Sequence, residues 1–238
     1  MKNTIRFMTA IMIAVLLTSA AIFAQNKKAA KEMKEASKQA KKAAQAFREI
    51  SGDADKAIPR ELLDRAEAIA VFPSVLKVAF GFGGRGGQGL ISRRTATGWS
   101  APAFFNLGGA SIGPQIGINK TDYIMLFMND DGVKGLLQDK FELGADAAIA
   151  AGPVGRTASV GTNATFDSPI LSYSRSRGAF IGVALKGAVI TADDDLNRSL
   201  YTKTAKDILL RDANVAVPQP VQIFPQTLTS FSPRTAQK

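Results

Sequence analysis

Gly81, Gly83 and Gly86 stand at G-x-G-x-x-G spacing inside the run AFGFGGRGGQG at positions 79–89. In a dinucleotide-binding fold this spacing lets the backbone approach a pyrophosphate, which rests on the N-terminus of the helix that follows. Here Gly86 leads instead into Gln88-Gly89-Leu90-Ile91-Ser92-Arg93-Arg94, a strand pattern. The ribose-binding acid expected about 20 residues further on is missing, because that region reads Ala101-Pro102-Ala103-Phe104-Phe105-Asn106. The phosphate-loop reading fails. A second spacing, Ser74-Val75-Leu76-Lys77, fits the S-x-x-K of a lysine-activated serine. That chemistry needs the serine to open a helix, with S-D-N and K-T-G companions. The context here is extended, and Lys120-Thr121-Asp122 does not replace them. A third pattern is more promising. In Tyr173-Ser174-Arg175-Ser176-Arg177 the period of two puts Tyr173, Arg175 and Arg177 on one strand face, opposite Ser172, Ser174 and Ser176. Two guanidinium forks beside a phenol suit a phosphate headgroup. Arg85 lies among glycines that would let a headgroup reach the backbone, and Arg93, Arg94 and Arg156 add positive charge.

What the chain lacks narrows the chemistry. It has no Cys and no His. A disulfide framework and a thiol nucleophile are excluded, and zinc loses its usual nitrogen and sulfur ligands. General acid–base catalysis loses the side chain most used near neutral pH. A non-enzymatic protein without cofactors is expected. Thirty Lys and Arg against 20 Asp and Glu give a net charge of +10, which attracts polyanions without separating nucleic acid from anionic lipid.

The N-terminus separates them. Lys2 and Arg6 precede an apolar run from Phe7 to Leu17, and small residues follow at Thr18 to Ala21, then Ile22-Phe23-Ala24. This is the pattern of a secretory signal peptide over residues 1–24, cut after Ala24 or after Ala21. An uncleaved anchor is the alternative, although the run is short for a span of about 20 residues. Export argues against nucleic acid as a partner and points to a periplasmic protein, peripheral at the membrane.

Residues 25–52 read as a basic amphipathic helix. Ala29, Met33, Ala36, Ala40, Ala43, Phe47 and Ile50 form a stripe at spacings of three and four, with Lys27, Lys28, Lys31, Lys34, Lys38, Lys41 and Lys42 off it. The stripe suits packing on its own domain or pairing with another chain, a second copy included. The lysines suit an anionic membrane surface. After Ser51-Gly52-Asp53 a second helix starts at Pro59, with Leu62, Leu63 and Ala66 inward. Short strands are expected at 71–72, 75–82, 89–93, 99–105, 110–117, 123–128, 147–151, 158–164, 170–177 and 180–191. Asn129 or Asp130 should cap a short helix, and Asp193-Asp194-Asp195 another. The Pro-containing tail over 213–238 should be extended or disordered. Helices, a glycine-rich run of mostly antiparallel strands, then helices make an α+β fold. Its glycines imply a strongly curved sheet, up to a barrel-like body.

Several separated motifs carry a resemblance. They are Ile58-Pro59-x-x-Leu62-x-x-Ala66-x-Ala68-Ile69-Ala70, the glycine run at 81–89, Trp99-Ser100-Ala101-Pro102, Gly152-Pro153-Val154-Gly155-Arg156, Tyr173-Ser174-Arg175-Ser176-Arg177-Gly178 and Asn197-Arg198-x-x-Tyr201. In order and spacing they resemble the SYLF domain, also called the Ysc-type actin-binding domain, here over residues 53–212 of an exported bacterial member. The resemblance implies a non-enzymatic module that binds phospholipids, phosphoinositides in eukaryotic relatives, with actin bound by some members. The expected partner is an anionic phospholipid membrane. A protein-interaction or scaffolding module and a carrier of small apolar ligands are the alternatives.

Overall fold

The computed structural model describes residues 2–52, 57–80, 82–112, 117–138, 140–155, 168–176, 179–210 and 214–233. The architecture is α+β, as expected: a long N-terminal helix, a curled, mostly antiparallel half-barrel sheet, and short C-terminal helices. Helix α1 spans Lys2–Ser51. The expected signal segment and the basic helix are thus one continuous element. Of the stripe, Ala36, Ala40, Ala43, Phe47 and Ile50 are buried, and Ala44 and Ala46 join them. Alanine leaves little between helix and partner, so α1 settles close to the body it crosses.

Helix α2 (Arg60–Arg65) buries Leu62 and Leu63. The sheet is built from β1 (Ala68–Phe80), β2 (Phe82–Thr95), β3 (Gly98–Trp99), β4 (Ala103–Ile112) and β5 (Gly117–Phe127). After α3 (Asp130–Leu136) come β6 (Phe141–Glu142), β7 (Ile149–Ala151), β8 (Ile170–Ser176), β9 (Ala179–Gly182) and β10 (Val189–Ala192). Strand order among the described residues is β6-β10-β4-β2-β1-β5-β8-β7, with β3 on β2 and β9 on β8. Only β7 and β8 run parallel among these pairs. Asn129 caps α3 by accepting from the Gly132 amide at 2.9 Å, and Asp193 caps α4 (Asp194–Tyr201) by accepting from the Leu196 amide at 3.2 Å.

Four expectations are corrected. The glycine run does not separate two strands. It is the first half of the 14-residue strand β2, which turns back on β1 at Phe80↔Phe82. The expected strand over 180–191 is two strands at different places in the sheet, split by a turn in which Gly187 takes φ +72°. The strand over 99–105 is interrupted before Ala103, where Pro102 has no N–H to give a ladder. The proline-containing tail is not extended: after α5 (Ala205–Ile208) it forms a 3-10 turn at Gln219–Val221 and then α6 (Ile223–Phe231). Helix α6 packs on α1, with the Phe231 ring edge-on to Phe47 at 5.8 Å. The expected strand over 158–164 lies outside the described residues.

Two motifs act as fasteners. Asn197 on α4 accepts from the Phe104 amide at 2.8 Å and donates to the Phe104 carbonyl at 3.1 Å. Tyr201 on the same helix donates to the Pro102 carbonyl at 2.9 Å, and burial raises its hydroxyl pKa. Asn197→Ala strands a buried N–H and C=O on β4. We expect it to cost about 2 kcal/mol in urea unfolding.

Candidate functional site

Strand β1 carries the feature that organises the site. Its register slips by one residue between Val71 and Leu76 against β2, and between Phe72 and Val75 against β5. This is a β-bulge in a central strand, where Pro73 cannot donate to the ladder. Ser74 takes φ +53°, and its amide donates to Asp122 Oδ1 at 2.7 Å. Ser74 therefore lies on a bulge and not at a helix start. Lys77, three residues along an extended strand, projects to the other face. The serine–lysine pair is not assembled.

Helix α1 crosses the sheet beside this bulge. Three polar contacts tie it down along its length: Glu49 to Arg175 on β8, Gln39 Nε2 donating to Gln88 Oε1 at 3.0 Å, and Ser199 on α4 donating to Glu32. Between helix and bulge lies a cleft of about 230 Å³, bordered by Lys38, Lys42, Gln39, Ser74 and Gln88. It is smaller than the pockets of about 300–1,000 Å³ that take small ligands.

The seven lysines of α1 are all exposed. Two make surface contacts with carboxylates on the same helix, Lys28 with Glu32 at 3.7 Å and Lys38 with Glu35 at 4.0 Å. Such pairs hold little energy and leave the positive field intact. The apolar stripe is used up inside the chain from Ala36 onward, while Ala29 stays exposed and Met33 half-buried. Pairing through the stripe with another chain is thereby restricted to its first turns.

The arginines expected beside these lysines are placed elsewhere. Arg93 is buried, pairing with Asp130 at 2.8 Å and donating to the Leu209 carbonyl at 3.1 Å. Arg94 donates to the Ala66 and Leu63 carbonyls, each at 2.9 Å, and to Ser232 Oγ at 2.5 Å; its guanidinium lies 4.2 Å from the Trp99 ring centre. It therefore fills the orphan carbonyls at the end of α2 and ties them to the end of α6. Tyr173 is fully buried, stacked on Phe180 at 5.5 Å, and burial raises its hydroxyl pKa. Gly152 has no side chain because the Tyr173 ring occupies that space. Arg175 is committed to Glu49 and to Asp122, the latter at 3.9 Å. Arg93, Arg94, Tyr173 and Arg175, expected at a headgroup, are each engaged with partners inside the chain. Arg85 is half-buried on the face of β2 opposite Gln88, and its Nε has no hydrogen-bond partner among the described residues. Arg156 and Arg177 lie outside the described residues.

The glycines likewise find structural reasons. A Cβ at Gly87 would come within 2.8 Å of Val75 Cγ2, and one at Gly89 would enter the Phe72 ring. Gly86 and Gly108, on the other face, border open space. Among the described residues no three carboxylates gather to hold a metal, and no helix is long and apolar enough to cross a membrane.

The described residues form an α+β body, a curled half-barrel sheet crossed by a helix whose lysines face solvent. Residues 108–231 match the Ysc84 family model, described as Las17-binding protein actin regulator. The chain belongs to this family, the SYLF domain. It is 40% identical over 162 residues to an SH3 domain-containing protein of Schizosaccharomyces pombe, covering 66% of this chain and 37% of that one. LAS seventeen-binding protein 3 of Saccharomyces cerevisiae is 36% identical over 162 residues, 66% of this chain and 35% of its own. SH3 domain-containing YSC84-like protein 1 of Mus musculus is 32% identical over 203 residues, 83% and 58%. The chain therefore spans between about a third and three fifths of the length of these relatives, of which the Saccharomyces cerevisiae protein is named for binding.

Proposed function

We propose that the chain is a non-enzymatic module that binds anionic phospholipid surfaces through the lysine face of α1. One observation carries this reading: seven exposed lysines line a helix whose apolar stripe is fixed in the core from Ala36 onward, so the charged side is presented outward. Each Lys near an anionic surface contributes about 1 kcal/mol. On the pattern of residues 1–24 we infer export, with the periplasmic side of a membrane as the surface met. Co-sedimentation with phosphatidylglycerol and phosphatidylcholine vesicles tests the binding. Binding to the first alone is expected in about 0.01 M salt, with release near 1 M as the Debye length falls from about 30 to about 3 Å. Equal binding to both vesicle types would end this reading.

The relatives' names favour a second reading, in which a protein is the partner. Pelleting with actin filaments in the same two salts addresses it directly; a chain left entirely in the supernatant at low salt excludes filaments as that partner.

A further inference from the structure

We infer that the membrane contact is completed by the sheet and not by the helix: the outer ends of β1 and β5 present Leu76, Val78 and Ile118 as an insertion face. This rests on the anionic-membrane reading above. A helix that enters a bilayer does so with its apolar side. From Ala36 to Ile50 that side of α1 is buried in the chain's own core, which leaves this lysine-bearing stretch with charge and little to insert.

The sheet has what the helix lacks. Leu76 pairs with Gly86 on β2 and Lys120 on β5, and Val78 pairs with Gly84 and Ile118. Residues directly opposite share a face, so these side chains form one surface. Strand alternation puts Gln88 on it too, and Gln88 meets Gln39 of α1. This is the face α1 lies on, continued past the helix into solvent. Leu76 is 40% exposed, Val78 43% and Ile118 71%. Among the described residues no atom lies within 4 Å of where a Cβ would stand on Gly86, the β2 partner of Leu76, or on Gly108.

Its surroundings decide the occupant. Lys120 sits within the apolar group, and Lys38 and Lys42 border the cleft beside it. The carboxylates nearby are engaged: Glu35 faces Lys38, and Asp122 holds the Ser74 amide and Arg175. An apolar patch bordered by Lys38, Lys42 and Lys120, with Glu35 offsetting only the first, matches an anionic bilayer, headgroups on the rim and acyl chains at the centre. Two copies face to face would set like charges together.

The absence of Cys makes the test clean. Ile118→Cys carries an environment-sensitive NBD label, and Ile181→Cys, exposed on the opposite sheet face, is the comparison. With phosphatidylglycerol vesicles the label at 118 should shift to the blue and be quenched by spin-labelled acyl chains, while that at 181 stays in water. A label at 118 that stays in water on co-sedimenting protein overturns the insertion and leaves the lysine reading standing. Loss of co-sedimentation by the unlabelled chain overturns both. A blue shift without vesicles, with doubled mass in light scattering, assigns the face to a second copy and also overturns it. The triple change L76S, V78S and I118S should weaken partition about 30-fold by removing apolar burial, with Tm unchanged. Unaltered partition would count equally against the proposal.

Discussion

Replacing Lys31, Lys34, Lys38 and Lys41 by Gln is expected to lower partition into phosphatidylglycerol vesicles by nearly three orders of magnitude. At about 1 kcal/mol per lysine the four contribute about 4 kcal/mol, and about 1.4 kcal/mol is a factor of ten. The fold should not register the change. All four side chains are exposed, and the single ion pair lost, Lys38 with Glu35 at 4.0 Å, is a surface pair within one helix. Vesicle titration at low salt measures the loss, and a thermal melt checks the fold. The corresponding Lys→Arg variant should retain binding, since charge and reach are conserved. Full binding by the Gln variant would remove the lysine face from the account and leave the sheet as the contact.

The largest stability effect is expected at Arg94. In Arg94→Ala the Ala66 carbonyl loses its donor, the Leu63 carbonyl and Ser232 Oγ each lose one of their partners, and Trp99 loses the cation above its ring. A buried carbonyl left without a donor costs about 1–3 kcal/mol and each further hydrogen bond lost about 0.5–1.5 kcal/mol, and the ring contact adds about 0.5–2 kcal/mol. A total near 4 kcal/mol is expected in urea unfolding. Arg94→Lys should recover less than half of it, because one ammonium cannot span carbonyls that a planar fork reaches together. The break should be local first: Ser232 also donates to the Leu63 carbonyl at 2.9 Å, so α6 and the end of α2 loosen as a unit. Protection of amide hydrogens in α6 would report this. A loss below about 1 kcal/mol would show that the C-terminal helix is held by apolar contacts such as Phe47–Phe231 alone.

The same residues show where sequence reading is sound and where it stops. Spacing alone placed the apolar stripe of α1, narrowed the caps to Asn129 or Asp130 and to Asp193–Asp195, and gave the outward direction of the lysines, because each depends on a few neighbouring residues and the pitch of one helix. The α+β order and the curved glycine-rich sheet were legible for the same reason. The roles of Arg93, Arg94, Tyr173 and Arg175 were not. An arginine looks the same whether it meets a phosphate or a carbonyl, and the partners Asp130, Leu209, Ser232 and Glu49 lie 37, 116, 138 and 126 residues away. The C-terminal helix escaped for a related reason: its prolines favour extension locally, and the packing on α1 overrides them.

By itself, then, the sequence determined the α+β class, the charge of the helix face and the absence of thiol and imidazole chemistry. Only the tertiary structure decided which cations stay in solvent and which strand face is left bare. The bulge at Pro73–Ser74 is the reason for the second decision. One inserted residue shifts the register of β1, so that Val75 stays buried while Leu76 and Val78 turn outward beside a helix that stops short of covering them.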